Sequence, residues 1–422
     1  MERLLHYVWK YKLFPMSSIQ TTEGDPVEVI DPGLINRNAG PDFFNAKVKI
    51  GGTLWVGNVE VHYHASDWVR HGHGTDPAYD SVILHVVGES DAVITRFNGE
   101  KIPQVIVKVP ASVRENYETL KSSENLPACV GVLPGLPFVK IHAWMSALVS
   151  ERFEQKTEAI RQRLEAAEQD WETAFFVTLA RNFGFGVNSD AFERWARSIP
   201  LGALAKHRDN LMQVEALFFG QSGLLDEEVE DAYLEILKRE YAYLVHKFNL
   251  SAPVVMCKLL RMRPGNFPHV RIAQLARLYH EKPGLFSQLM EEADLDRIFE
   301  LLQTHADGYW EDHLLFGRLT AKAERRISLF SLRLLVINTV VPFLYAYGIH
   351  RGNEIMKERA TRFLEEMASE ENHVIRSWRA AGIQAENAAD SQALIELTRE
   401  YCEKRKCLFC RFGYEYLKKT SG

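Results

Sequence analysis

Gly40–His85 reads GPDFFNAKVKIGGTLWVGNVEVHYHASDWVRHGHGTDPAYDSVILH, and its pattern decides the N-terminal fold. Gly51-Gly52 separates Lys47–Ile50 from Thr53–Val56. A glycine pair between two β-rich runs is a strong hairpin signal, because the tightest turns need positive φ at both central positions. Further along the second run, Glu60 and His62 are two residues apart and project from one face, while Val59 and Val61 project from the other. The stretch holds five of the chain's fifteen histidines, with Asp42, Glu60, Asp67, Asp76 and Asp80 interleaved. Acids and imidazoles at this density can hold a divalent cation and activate a water.

Outward from this stretch, Val27–Ile30, Phe44–Ile50, Leu54–His62, Ser81–Val87, Ala92–Phe97 and Gln104–Val109 are β-rich and bounded by Gly, Pro, Asn and Asp. Residues 1–14 place Leu4, Leu5, Val8, Trp9 and Leu13 on one side of a helix. Pro127, Pro134 and Gly135 mark 119–136 as a linker, and from 137 the helical period takes over. The expected fold class is α+β. An N-terminal mixed-sheet domain with a flanking helix spans 1–118, and an all-helical domain with a cysteine-bearing tail spans 137–422.

A chain of 422 residues is too long for one typical core. Its net charge of −6 excludes a chain-wide electrostatic grip on nucleic acid, so any polyanion site must be a local basic patch. Ile327–Tyr347 is apolar but interrupted by Arg333, Asn338 and Pro342, which reads as a buried helix and not a membrane span. MERLLHYVWKYKLF mixes charges through its apolar residues, unlike a signal peptide. Five cysteines, three of them near the end, argue against a disulfide framework and for a cytoplasmic location.

Antiparallel pairing brings Asp42, just before one strand, to Glu60 near the end of the next. With His62 these groups can hold Mg²⁺, Mn²⁺ or Zn²⁺. His62 and His64 share a face, and the flexible loop His71-Gly72-His73-Gly74 could close on a substrate or a second metal. Asp76 could ligate or orient a histidine. Trp68 could stack on a base, with Arg70 beside it. A lone histidine is more often a surface or core residue, but the group favours a site. Cys402-x4-Cys407-x2-Cys410 offers three thiols for a Zn²⁺ or an iron–sulfur cluster, with a fourth ligand from Cys129, Cys257 or a histidine. The basic turn Arg261–Arg271 could contact phosphates through Arg263 and Arg271, or simply link helices with Arg271 as a cap.

Pro41-Asp42 followed by Glu60-Val61 resembles the PD-(D/E)XK nuclease superfamily over roughly residues 1–90. That pattern sets Pro-Asp at one strand, and an acidic residue, any residue and lysine on the next. His62 stands here where the lysine belongs. The resemblance implies a restriction-endonuclease-like sheet, with a Glu from the preceding helix for which Glu2 is the candidate. Over nearly its full length the chain also resembles a bacterial family known as domain-of-unknown-function family 2851. The matching stretches include Gly40-Pro-Asp-Phe-Phe-Asn-Ala46, Gly57-Asn-Val-Glu-Val-His62, Ser66-Asp-Trp68, His71-Gly-His73 and Arg263-Pro-Gly-Asn-Phe-Pro268. The activity expected is a divalent-metal-dependent phosphodiester hydrolase, a nuclease on DNA or RNA. The alternatives are a zinc hydrolase of a non-nucleic substrate using His62, His64, His71 and His73, or a scaffold with structural metal.

Overall fold

One mixed sheet organises the N-terminal region: β1 (Val27–Asp31), β2 (Leu34–Ile35), β3 (Phe43–Ile50), β4 (Thr53–His64), β5 (Val82–Glu89) and β6 (Gln104–Ile106). The computed structural model describes residues 1–16, 19–36, 38–251, 257–259 and 262–419. The strands lie in the order β1-β3-β4-β5-β6, with β2 also paired to β3. β3 and β4 form an antiparallel hairpin, closed where Ile50 faces Thr53. Gly51 and Gly52 sit at φ of 57° and 87° in that turn, the region that favours glycine. β5 and β6 then run parallel to β4. β5 is buried from Val82 to Val87, the continuous apolar reading of an interior parallel strand. Helix α1 (Glu2–Lys10) buries Leu4, Leu5, Val8 and Trp9 and packs on β4.

The fold departs from the sequence reading in three places, the last in the second unit. Ala92–Phe97 forms no strand and makes only the bridge Thr95–Lys101, because the turn at Asn98-Gly99 folds this short segment back on itself. The domain division differs too. The chain separates into one unit of Met1–Trp144, Arg376–Ile383 and Ile395–Gly422, and another of Met145–Ile375 and Gln384–Leu394. The cysteine-bearing tail therefore belongs with the sheet. Helix α2 (Asp67–Arg70) follows β4, and helix α3 (Ala111–Ser122) runs into the span read as a linker. The Arg405 guanidinium donates to the carbonyls of Leu120 and Ser123, and Asn116 Nδ2 donates to those of Tyr416, Leu417 and Lys419. These bonds satisfy backbone groups at both helix ends, which local sequence pattern does not reveal.

The second unit is mainly helical around one large apolar core, but not all-helical: His305–Ala306 pairs with Arg325–Arg326, and His313–Leu315 with Arg318–Leu319, in two short sheets. Its segment Leu329–Arg351 is the one helix among the described residues long and apolar enough to cross a membrane, and 67% of that window is buried inside the protein.

Gly57 gives a test of the sheet's packing. A Cβ there would lie 2.4 Å from Ile83 Cγ2 and 2.9 Å from the Ser81 carbonyl oxygen. Gly57→Ala should destabilise the first unit by about 1–3 kcal/mol, read as a lower denaturant midpoint, and should cost less in an Ile83→Ala background, where Cγ2 is gone. An unchanged midpoint in Gly57→Ala contradicts this β4–β5 contact.

Candidate metal centre

The centre is built where β3 and β4 part. Their register shifts between Phe43 and Ala46, with Asn45 at a positive φ of 54°. Asp42 and Glu60 bridge the gap reciprocally. The Asp42 N–H donates to Glu60 Oε2 at 3.0 Å, and the Val61 N–H donates to Asp42 Oδ2 at 3.0 Å. From α1, His6 Nε2 lies 3.1 Å from the Val61 carbonyl oxygen and 3.4 Å from Asp42 Oδ2. With Oε2 engaged, Glu60 turns its other oxygen inward.

Beyond β4, α2 and a turn at Gly72 (φ 77°) reverse the chain and return His71 and His73 to Glu60. His71 Nδ1 is 3.2 Å from His62 Nε2, His62 Nε2 is 3.6 Å from Glu60 Oε1, and His73 Nε2 is 3.3 Å from the same Oε1. A tetrahedral ion with bonds of about 2.0–2.1 Å holds its ligand atoms about 3.3 Å apart, a spacing that the His71–His62 pair approaches, while Glu60 stands against His62 and His73 outside the mutually close trio. The ligand atoms of His62, His71 and His73 all lie within 4.8 Å of one another. His62 is buried, His73 half-buried and His71 exposed, so the centre opens on His71's side.

A second layer fixes the rings. His62 Nδ1 is 2.9 Å from Nε2 of His85, which is fully buried beside Glu60 on the neighbouring strand. An ion on His62 Nε2 requires the proton on Nδ1, donated to His85. Tyr79 stacks on His73 at 3.8 Å, and the Trp68 ring closes the back at 5.4 Å from His73 and 5.5 Å from His85.

Burial dominates the electrostatics. It pushes His62 and His85 down to about 3 and lowers His73, with neighbouring histidines adding to each shift. These rings therefore stay neutral, the form that binds metal. Burial raises the carboxyls of Asp42 and Glu60; Asp42's charge raises Glu60 further, and Glu2 adds to both. Among the described residues neither acid forms an ion pair with a lysine or arginine. A cation at the histidine trio would supply the missing positive charge.

The structure sorts the other residues expected at the site. Glu2 stands close enough to act on both acids. His64 leaves the group: the strand ends there, and its half-exposed ring pairs with Glu89 at 3.5 Å. Asp76 Oδ1 accepts the Ala78 N–H as the cap of a short helical turn instead of ligating. Trp68 is 1% exposed and packs on Val82, Ile94 and Ile102, so it cannot stack on a base. Arg70 is exposed but paired to Asp67 at 2.6 Å. Arg271 is buried in the second unit, over the Phe185 ring and bonded to Gln274, Asn266 and Ser331, which makes it structural. Arg263 is an exposed residue of that same unit, and Arg261 lies outside the described residues. The sequence reading missed His6 and Tyr79, and it counted His85 in the histidine-rich stretch without giving it a role at the site. Parallel β4–β5 pairing, which sets Glu60 opposite His85, is the signal that would have found the last.

Fold and centre together define an α+β protein whose N-terminal sheet carries a histidine–carboxylate cluster. A family model described as "Protein of unknown function (DUF2851)" matches residues 2–373, and the chain belongs to that family. No curated protein and no solved structure matches the chain.

His85→Phe should keep the ring volume and weaken metal binding about 10–100-fold in calorimetric titration with Zn²⁺; unchanged affinity contradicts the role given to the His62–His85 bond. Glu60 gives a pH test. Its carboxyl is raised in the metal-free folded state, so the native protein binds the proton longer than the unfolded chain. That contribution to stability is lost as pH rises above the ordinary value of 4.5. In EDTA, the melting temperature of Glu60→Gln minus that of the parent should grow between about pH 5 and pH 8. A constant difference contradicts the buried, uncompensated charge.

Proposed function

We propose that the chain is a divalent-metal-dependent phosphodiesterase that cuts nucleic acid at this centre. The observation carrying the proposal is the meeting of Asp42, Glu60 and His62 beside the exposed His71. The strand plan supports a restriction-endonuclease-like reading: Pro41-Asp42 directly precedes β3, Glu60 lies on the antiparallel partner β4, and Glu2 sits on the preceding helix. His62 takes the place that lysine holds in the PD-(D/E)XK pattern. Three imidazoles and one carboxylate favour Zn²⁺ or Mn²⁺ over Mg²⁺, which prefers oxygen ligands.

A cation held there supplies Lewis-acid charge for phosphoryl oxygens and an acidified water. The chain's own groups do the rest. The Asp42 N–H fixes Glu60 so that Oε1 faces the trio. Asp42 and the Val61 carbonyl hold His6 through Nε2, and His6 also lines a neighbouring cavity of about 460 Å³. Arg3, Lys10, Lys404 and Lys406 line it as well. Lys404 pairs with Glu400, but Arg3, Lys10 and Lys406 make no ion pair among the described residues. Phe409, 56% exposed at the rim, offers a stacking face. This is the local basic patch that a chain of net charge −6 needs to hold a polyanion. A zinc hydrolase of a non-nucleic substrate is the second reading, favoured by the three-imidazole set alone.

The test is hydrolysis of single- and double-stranded DNA and RNA with Mn²⁺, Zn²⁺ or Mg²⁺. Cutting should stop in EDTA and fall by at least on the order of 100-fold in Glu60→Gln and His71→Ala. Arg3→Ala and Lys406→Ala should each reduce the salt dependence of nucleic-acid binding by about one charge. A protein that binds metal at the trio yet neither binds nor cuts any of these substrates overturns the proposal and leaves the zinc hydrolase.

A further inference from the structure

Four of the five cysteines line one cavity. Cys129 comes from the segment after α3, Cys402 from a wide helical turn over Leu397–Cys402, Cys407 from the short helical turn Cys407–Phe409, and Cys410 from the start of helix Arg411–Leu417. None is in a disulfide. We propose that Cys129, Cys402, Cys407 and Cys410 hold an iron–sulfur cluster of the four-iron type. The fifth cysteine, Cys257, packs against the core of the second unit and is not a ligand.

Spacing separates a cluster from a single ion. A zinc bound by four thiolates at about 2.3 Å draws the sulfurs to within roughly 3.8 Å of one another. A four-iron cube carries its cysteine sulfurs at outer corners, on the order of 6 Å apart. Among the described residues, no three of these cysteine sulfurs come within 4.8 Å of one another, although the histidine trio does. The cavity they line measures about 20 Å³, so the spacing of the sulfurs, and not the volume, sets a cluster apart from a single ion.

The walls suit such a group. The backbone N–H groups of Phe412 and Gly413 point at the Cys410 sulfur. The buried Trp144 Nε1–H lies on the same side with no hydrogen-bond partner in bonding geometry. N–H groups aimed at ligand sulfurs are what tunes iron–sulfur sites. Arg405 lines the cavity and offsets thiolate charge at Cys402 and Cys407. Gly413 leaves no room for a side chain: a Cβ there would meet the Cys407 carbonyl oxygen at 2.1 Å. A metal-free protein would instead bury four thiols around a void, and burial raises all four. The cluster's role is to clamp the terminal segment, the same segment that carries Lys404 and Lys406. The assignment stands whether or not the protein cuts nucleic acid.

The experiment is iron and acid-labile sulfide analysis of full-length protein purified anaerobically, with its absorbance near 400 nm. The expected result is about four iron and four sulfide per chain, lost in large part in Cys129→Ser and unchanged in Cys257→Ser. One zinc without sulfide, or four freely titrating thiols with no metal, overturns the proposal. Full iron content in Cys129→Ser overturns the choice of fourth ligand. The wild-type stoichiometry decides the matter even if a variant fails to fold.

Discussion

Two hydrogen bonds, from the Asp42 N–H to Glu60 and from the Val61 N–H to Asp42, hold the N-terminal centre together. Each acid gives one carboxylate oxygen to a backbone N–H of the other's strand. The two bonds fix the hairpin where the ladder slips, and they aim the remaining Glu60 oxygen at His62 and His73. They also set two acids side by side in a poorly solvated place, which is costly unless positive charge arrives. No lysine or arginine pairs with either acid among the described residues, and burial keeps His62, His73 and His85 neutral. Structure and charge deficit point to the same remedy, a bound cation.

The rest of the first unit serves that arrangement. Trp68 and Tyr79 wall the rings in, His85 fixes one of them, and α1 brings His6 to Asp42. The end of the chain then folds onto the helices that follow the sheet. Arg405, Asn116 and the Tyr11–Tyr414 ring contact at 4.7 Å tie it down. This return places the basic side chains of the tail beside α1 and gathers four cysteines around one cavity. Basic side chains, thiols and the histidine–carboxylate cluster thus share one unit although their residues come from both ends of the sequence.

What the sequence revealed follows from how local each signal is. The glycine pair announced the hairpin, and the two-residue period put Glu60 and His62 on one face. The same period also placed His64 on that face, but its ring lies farther along the strand and meets Glu89 instead of the trio. Asp76 is a turn cap and Trp68 a core residue; both have residue types and positions that suit a ligand or a stacking platform equally well. His6 meets Asp42 only because α1 lies across β4, a tertiary fact with no local pattern. Cys129 was one of two candidate fourth thiols, with a histidine as the alternative, until the fold brought the tail back to it.

The central claim is that one cation sits among His62, His71 and His73. Anomalous difference maps from crystals soaked in Zn²⁺, recorded at the zinc edge, test it most directly. The account predicts a peak about 2.0–2.2 Å from Nε2 of His62, Nδ1 of His71 and Nε2 of His73. Well-ordered rings with no peak between them, under conditions where zinc binds elsewhere on the protein, would contradict it.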